Sequence, residues 1–349
     1  MQASVQLVGR AGAFLKNQAT DGFPDALDLQ FGLMGHAILV GSVFQVALAT
    51  MALHAALPDD AEAQAIVARE TDAILALGSP DGWRYFNLCP EIPPDADVLA
   101  QVVTLLHRVG RRDRLESLDG PLALLEQNRL QAGRFRTWLC SSLDEAGAAD
   151  ALWGAGTDPV HPEVVGNLLG ALLLIDPGRY AHDARMGADW LARQDSGGLY
   201  PSYWYYGLGY GTYQAIRMFD LLLKQAPEQF GPAPAEAMRR ARDAMLRAQL
   251  PSGGWAATQG PTGLAVVGGQ YRPEREAGAL ETAFTVLALR RLEPDPGISA
   301  ALESAEGFLS RCQQEDGGFA AEPFYFTLGP RPLASRCLTT AAVLLALTD

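Results

Sequence analysis

A short phrase recurs six times along the 349-residue sequence, and no other feature limits the fold so strongly. In each copy an apolar helix end, often with a Gln, is followed by a Gly-containing turn and then by an aromatic residue or Leu. The copies are FLKNQATDGF (14–23), ILALGSPDGW (74–83), LLEQNRLQAGRF (124–135), WLARQDSGGL (190–199), MLRAQLPSGGW (245–255) and FLSRCQQEDGGF (308–319). Repeats of this length predict stacked helical hairpins, each of which needs its neighbours to bury its apolar face.

The segments around each turn predict two kinds of helix. Before the last turn, one apolar stripe runs along an otherwise polar helix, formed by Ala301, Ala305, Phe308, Leu309 and Cys312, which is typical of an outer helix. More uniformly apolar segments follow the turns, namely Met34–Leu57, Val98–Val109, Val164–Ile175, Thr212–Leu223, Ala279–Leu289 and Leu338–Leu347. A helix that is apolar on most sides is buried on most sides.

We therefore predict an all-α fold, an (α/α)6 toroid in which six outer helices surround six inner ones. The toroid is expected to be a single domain over residues 1–349. The turn glycines Gly22, Gly82, Gly133, Gly198, Gly254 and Gly318 are expected at one end of it. We find no segment with the alternating pattern of a strand ladder.

Composition narrows the range of partners. The formal net charge is −13, which argues against nucleic acid and against an anionic membrane held by charge. The four cysteines are scattered without a CxxC pair, so we expect reduced thiols in a cytoplasmic protein. The stretch Met34–Leu57 has no charged residue but carries His54 and other polar groups, and we predict a buried helix instead of a transmembrane one.

The six phrases resemble the QW repeats of the squalene–hopene cyclase and class II terpene cyclase superfamily, which also includes the protein prenyltransferase β subunits. The resemblance implies the same toroid. It is more specific in the second repeat, where DGWRYFNLCPEIPPDADVLAQVV (81–103) is similar to the segment that leads to the Asp-x-Asp-Asp motif of the cyclases. It places Asp95 on the first Asp and Asp97 on the middle one, which is the proton donor in that family. Val98 stands where the third Asp is expected.

The chemistry of alkene protonation suggests a role for this acid pair independently of the family resemblance. Protonating an alkene needs a strong acid in a water-free cavity, and a buried carboxylic acid beside a second acceptor can stay protonated until a substrate arrives. The alternative is structural: Asp95 would cap the following helix and Asp97 would favour its dipole. Both interpretations stay open on the sequence alone.

Aromatic residues cluster around the predicted mouth of the toroid, and aromatic faces stabilise cations. We expect a substrate-binding surface formed by Trp83, Tyr85, Trp138, Tyr203, Trp204, Tyr205, Tyr206, Tyr210, Tyr213, Trp255 and Phe319. For the isolated members, packing of the turns is the competing interpretation.

The leading hypothesis is a class II terpene cyclase-like enzyme, in which protonation starts the cyclisation or isomerisation of an isoprenoid or other hydrophobic small molecule. We expect no cofactor and no metal, because the zinc ligands of the prenyltransferases have no match in EREAGALETAF (274–284). A homodimer or a second toroid subunit would supply a wall of the active site that a single toroid lacks. The alternatives are a non-catalytic toroid that binds a hydrophobic ligand or a partner protein, and an enzyme on the same scaffold with a non-isoprenoid substrate.

Overall fold

The computed structural model describes residues 2–31, 37–41, 43–85, 92–153, 158–258, 275–325 and 333–349. In these ranges the helices, in chain order, are α1 (Gln2–Thr20), α2 (Val43–Ala56), α3 (Ala61–Ala76), α4 (Ala96–Arg108), α5 (Asp119–Gln127), α6 (Leu143–Trp153), α7 (Pro162–Ile175), α8 (Pro177–Leu191), α9 (Gly209–Gln225), α10 (Pro232–Ala248), α11 (Ala279–Leu289), α12 (Pro296–Cys312) and α13 (Arg336–Thr348). Short 3-10 helices occupy Pro24–Ala26, Arg112–Leu118 and Pro227–Gln229.

Six helices form a closed inner ring. In order around the ring, α2, α4, α7, α9, α11 and α13 each contact the next, and α13 contacts α2. These helices are buried on nearly all sides; every residue of α11, for example, is buried. The predicted toroid is confirmed, because uniformly apolar helices satisfy their surface only when they are surrounded by other helices.

The remaining helices lie outside this ring. Five of them pack on inner helices: α1 contacts α2 and α13, α3 contacts α2, α8 contacts α7 and α9, α10 contacts α9, and α12 contacts α11. The stripe predicted on α12 is buried at Ala301, Ala305, Phe308 and Leu309, whereas Cys312 is half-buried. The helix α6 lies between the third turn and α7 and was not predicted.

Three short antiparallel hairpins interrupt the helices. They pair β1 (Leu27–Phe31) with β2 (Ala37–Gly41), β3 (Arg129–Gln131) with β4 (Arg134–Phe135), and β5 (Glu322–Tyr325) with β6 (Leu333–Ser335). The expectation of a chain without strand pairs is therefore wrong at these positions. Of the helix predicted over Met34–Leu57, the structure has α2 from Val43, and residues 37–41 instead pair with β1. Residues 34–36 and 42 lie outside the described residues. Within the described ranges, no helix has both the length and the apolarity needed to span a membrane.

The repeated Gln and Gly residues form the joints between neighbouring repeats. In the fifth turn Gln249 donates through Nε2 to the carbonyl of Gly253 (2.8 Å) and to that of Ala301 on α12 (2.9 Å). In the sixth turn Gln313 donates in the same way to Gly317 (2.9 Å) and to Leu7 on α1 (3.0 Å). The last joint thus connects the end of the chain to its beginning and closes the outer layer.

The glycines at these joints have no room for a side chain. Gly253 and Gly317 have φ of 95° and 89°, a region that other residues rarely adopt. A Cβ on Gly317 would lie 2.4 Å from the carbonyl oxygen of Arg10 on α1. The turn conformation was expected at Gly254 and Gly318. The positive φ lies one residue earlier in each turn, at Gly253 and Gly317, so the second glycine of each Gly-Gly pair has a different role.

We expect Gly317→Ala to lower the free energy of unfolding by about 2–4 kcal/mol, from left-handed strain together with overlap against α1. The matched control is Gly9→Ala. Gly9 lies on α1, the helix that Gly317 contacts, and nothing lies within 4 Å of a Cβ added there. That change should raise stability by about 0.5–1 kcal/mol through helix propensity. Urea denaturation of both variants checks this; equal effects would contradict the proposed joint.

Candidate active site

Asp97 lies at the start of the inner helix α4, and its carboxyl group points into the ring. One carboxyl oxygen, Oδ1, accepts a hydrogen bond from Asn167 Nδ2 on α7 (2.7 Å). The other, Oδ2, accepts one from the hydroxyl of Tyr205, which precedes α9. Only 3% of the residue is exposed. Three separate parts of the chain therefore meet at this carboxyl group.

The protein interior changes the acidity of Asp97. Burial raises its pKa to about 6, although the hydrogen bonds from Tyr205 and Asn167 act in the opposite direction by favouring the ionised form. A carboxylic acid with this pKa is partly protonated in mildly acidic to neutral solution. Asp97 can therefore hold a proton in a site from which water is largely excluded.

Asp95 has different partners. Its Oδ1 accepts from the backbone N–H of Val98 (2.7 Å), and its Oδ2 accepts from the N–H of Tyr85 (3.1 Å). Burial and the neighbouring Asp97 raise its pKa, against the effect of these two donors. Asp95 thus caps α4 and fixes the loop that carries Tyr85, as the structural alternative predicted. Val98 is fully buried.

Six aromatic residues pack beside Asp97, and we call them the aromatic cluster: Phe44, Tyr85, Tyr205, Tyr210, Phe324 and Tyr325. Tyr205 is central, with its ring centroid 4.5 Å from those of Tyr210 and Phe324 and 5.8 Å from that of Phe44. Tyr85 stacks on Tyr325 at 4.5 Å. All six side chains are buried, so the faces around Asp97 are aromatic and dry.

A second aromatic group lies against α7. Tyr203 stacks on His161 at 4.0 Å, and Trp204 donates through Nε1 to His161 Nδ1 (3.1 Å). Trp138 packs edge-on against Trp204 at 5.6 Å. The backbone N–H groups of Tyr203 and Trp204 both donate to Glu163 Oε1, at 2.7 and 2.9 Å. Glu163 therefore anchors the segment that carries Tyr205.

A cavity of about 270 Å³ opens next to the aromatic cluster. Its walls include Phe284, Phe324, Tyr206 and the carboxyl groups of Glu281 and Glu322. Phe324 belongs to both the cavity wall and the aromatic cluster, whereas Asp97 does not line the cavity. In this conformation Asp97 and the cavity lie on different sides of Phe324 and the rest of the aromatic cluster.

Known structures share this architecture. No protein-family model and no curated protein matches the sequence. The type II terpene cyclase MstE from Scytonema aligns over 100% of this chain and 98% of its own, with a TM-score of 0.70 and 17% identity. The ent-copalyl diphosphate synthase from Streptomyces platensis aligns over 88% of this chain and 50% of its own, with a TM-score of 0.58 and 21% identity. The chain has the fold of the type II terpene cyclases.

The terpene cyclase fold is shared with other chemistry. A glycosyl hydrolase of family 88 from Bacteroides vulgatus aligns over 99% of this chain and 98% of its own, with a TM-score of 0.59 and 13% identity. At these identities the comparisons establish architecture, and function has to be argued from the site itself.

The sequence-predicted residues fall into four places on this fold. Tyr85, Tyr205 and Tyr210 lie in the aromatic cluster with Asp97, and Trp138 and Tyr203 pack on Trp204 beside His161. Tyr206 lines the 270 Å³ cavity, and Tyr213 stacks on Phe284 at 6.2 Å. The others lie at repeat turns: the indole N–H groups of Trp83 and Trp255 donate to carbonyls of Ile74 and Met245, and the N–H of Phe319 donates to Thr340.

Asn167 is the functional candidate that the sequence analysis missed. Its signal was present, because apart from Glu163 it is the one polar side chain in the apolar helix PEVVGNLLGALLLI. A buried amide in such a helix needs a polar partner, and here the partner is Asp97.

Among the residues that the structure describes, no three His, Cys, Asp or Glu side chains come together as a metal site requires.

Glu163 provides a test of how the aromatic segment is anchored. Burial raises its pKa to about 8, whereas the unfolded chain ionises near 4.5. Between these two pH values the folded protein keeps a proton on Glu163 that the unfolded chain has lost. The contribution of Glu163 to the free energy of unfolding therefore falls as pH rises from about 4.5 to 8. Glu163→Gln keeps an acceptor oxygen without the charge, so its melting temperature relative to the wild type should increase over that pH range.

Glu163→Ala is the companion variant. It leaves the N–H groups of Tyr203 and Trp204 without their acceptor, which should cost about 2–4 kcal/mol relative to Glu163→Gln at every pH, since neither variant titrates. Thermal denaturation of the three proteins from pH 4 to 9 measures both effects. A pH-independent difference between Glu163→Gln and the wild type would show that Glu163 titrates normally.

Proposed function

We propose that this protein is a class II terpene cyclase-like isomerase, in which Asp97 protonates an isoprenoid or similar hydrophobic substrate. The observation that carries the proposal is the set of partners of Asp97. Three other buried acids here, Asp95, Glu163 and Glu281, accept hydrogen bonds from backbone N–H groups and hold loops. Asp97 alone of these four accepts only from side chains, those of Asn167 and Tyr205.

The proposed reaction is an isomerisation that begins and ends with a proton. Asp97 gives its proton to one carbon of an alkene, and the other carbon becomes a cation. Asn167 stabilises the carboxylate that is left, because its hydrogen bond strengthens when Asp97 is ionised. The π-faces of the aromatic cluster stabilise the cation as ring closure moves it. The final cation loses a proton to water, which gives a neutral isomer, and solvent returns a proton to the Asp97 carboxylate.

The substrate class follows from the surroundings of Asp97. Dry aromatic walls favour a hydrocarbon chain over a polar substrate. MstE, which shares the fold, binds geranylgeranyl dihydroxybenzoate as its substrate. For a prenyl chain to reach Asp97, Tyr205 must move away from β5. Its neighbour Tyr206 holds this segment to β5 through the hydrogen bond from Tyr206 N to Phe324 O (2.9 Å). We propose that residues 1–349 work as a single toroid, because the groups invoked all come from one chain.

The non-catalytic alternative rests on the same tyrosine. The Tyr205 hydroxyl occupies the position at Asp97 that an alkene would need, and the 270 Å³ cavity lies beside the aromatic cluster. A toroid that binds a hydrophobic ligand in that cavity would leave Asp97 as a buried structural acid. An enzyme on the same scaffold with a non-isoprenoid substrate is the third candidate, as the glycosyl hydrolase neighbour illustrates.

The variants Asp97→Asn and Asp95→Asn test the proposal. The protein is incubated with geranylgeranyl dihydroxybenzoate, squalene, and shorter polyprenyl alcohols and diphosphates, and cyclic products are measured. Asp97→Asn is nearly isosteric but cannot donate the acid proton, so kcat/KM should fall by at least about 10²–10⁴-fold with little change in melting temperature. Asp95→Asn should cost less activity, because Asn also caps helices well.

Two results would decide against the cyclase. Turnover that Asp97→Asn leaves unchanged would exclude Asp97 as the donor. Binding of these ligands without turnover, measured by calorimetry on the wild type, would favour the non-catalytic toroid.

The pH dependence gives a second, independent test. The rate should fall as pH rises above about 6, since Asp97 then loses the proton it must donate. Tyr205→Phe keeps the ring but removes a hydrogen bond that lowers the pKa of Asp97, so the fall in rate should move to higher pH. A pH profile that Tyr205→Phe leaves in place would show that Asp97 does not set it.

A further inference from the structure

Arg217 is a buried cation without an anionic partner. It lies on the inner helix α9 and is 3% exposed. Its Nη2 donates to Thr104 Oγ1 (3.0 Å), and its Nη1 donates to Asn167 Oδ1 (3.3 Å) and Gln214 Oε1 (3.4 Å). All three acceptors are neutral. Among the residues that the structure describes, no carboxylate forms an ion pair with Arg217.

The surroundings make this charge more costly. Burial, together with the positive charges of Arg108 and Arg291, lowers the pKa of Arg217 to about 10, so it is still protonated at neutral pH. Arg108 has its own counterion in Asp349. Asp97 is linked to Arg217 through Asn167, but in its protonated form it supplies no negative charge. A buried charge is stabilised by a partner of opposite sign, and the described residues do not provide one.

A small space lies beside this guanidinium on the axis of the inner ring, and we call it the axial pocket. Its volume is about 20 Å³, and its walls come from α2, α4, α9, α11 and α13. The lining includes Arg217, Arg108, Gln101 and Tyr210 but no acidic side chain. The Gln101 side chain forms no hydrogen bond with another described residue. An amide donor without an acceptor among these residues thus lies in the pocket beside the guanidinium.

We propose that the axial pocket binds one small monovalent anion of the size of chloride. The guanidinium of Arg217 supplies the charge, and the amide of Gln101 can donate to the anion. The volume is close to that needed for one water molecule, so sulfate, phosphate and the acidic group of an organic ligand are too large. The anion site shares Tyr210 with the aromatic cluster, but the proposal does not depend on the reaction at Asp97, and the anion would bind whether or not that reaction occurs.

Crystals grown or soaked in sodium bromide give the direct test, because bromide replaces chloride and scatters anomalously. We expect one strong anomalous peak in the axial pocket, within hydrogen-bonding distance of the Arg217 guanidinium. Electron density for a water molecule without anomalous signal, in crystals that bind bromide elsewhere, would overturn the proposal.

Thermal denaturation tests the site in solution. At equal ionic strength, sodium chloride should raise the melting temperature relative to sodium gluconate by on the order of 3 °C, since an anion bound only to the folded state stabilises it. Arg217→Gln should abolish this difference, whatever its own melting temperature. Arg240→Gln is the matched control, because Arg240 is a surface residue paired with Asp195, and it should keep the full response.

If Arg217→Gln fails to fold, Gln101→Leu serves in its place. It preserves side-chain bulk but removes the amide donor, so the chloride response should weaken several-fold. Equal responses to chloride and gluconate in the wild type, or an unchanged response in Arg217→Gln, would show that the pocket holds no specific anion.

Discussion

At four of the six turns, a glycine touches the backbone of the following outer helix, and this contact is the constraint on which the rest of this molecule depends. A Cβ on Gly133 would lie 2.2 Å from the backbone nitrogen of Gly187 on α8, and one on Gly198 would lie 2.6 Å from the carbonyl of Arg240 on α10. The same contact at Gly317 joins the sixth repeat to α1. Because these contacts recur around the outer layer, a side chain at any of them would push neighbouring repeats apart.

Closure of the ring creates the acid site. Asn167 and Tyr205 follow Asp97 by 70 and 108 residues in the sequence. The three meet only because α4, α7 and α9 are neighbours in the inner ring. The same closure removes water from Asp97 and raises its pKa. An open stack of the same hairpins would expose this carboxyl group and return its acidity to the usual range.

Several acids at the mouth of the toroid hold loops and helix ends in place. Glu281 accepts from the N–H groups of Leu208 and Gly209, and Glu322 accepts from those of Ala279 and Leu280. Each carboxyl group ties a loop or helix end to a neighbouring repeat, as Glu163 does for Tyr203 and Trp204. A buried acid here is therefore not in itself a sign of catalysis, and the type of donor distinguishes Asp97 from the loop anchors.

The sequence by itself determined the repeat, the order of the helices and the two-layer toroid, because these depend on local patterns: apolar periodicity, helix ends and Gly-containing turns. It also located Asp95, Asp97 and the tyrosines before α9. It did not reveal the short hairpins, since their pairing depends on backbone hydrogen bonds between segments without a strong alternating pattern. Only the tertiary structure decided which aromatic residues surround Asp97 and which pack the turns. It also brought Asn167 to Asp97 and left Arg217 without a counterion, because those relationships arise from helices that become neighbours only when the ring closes.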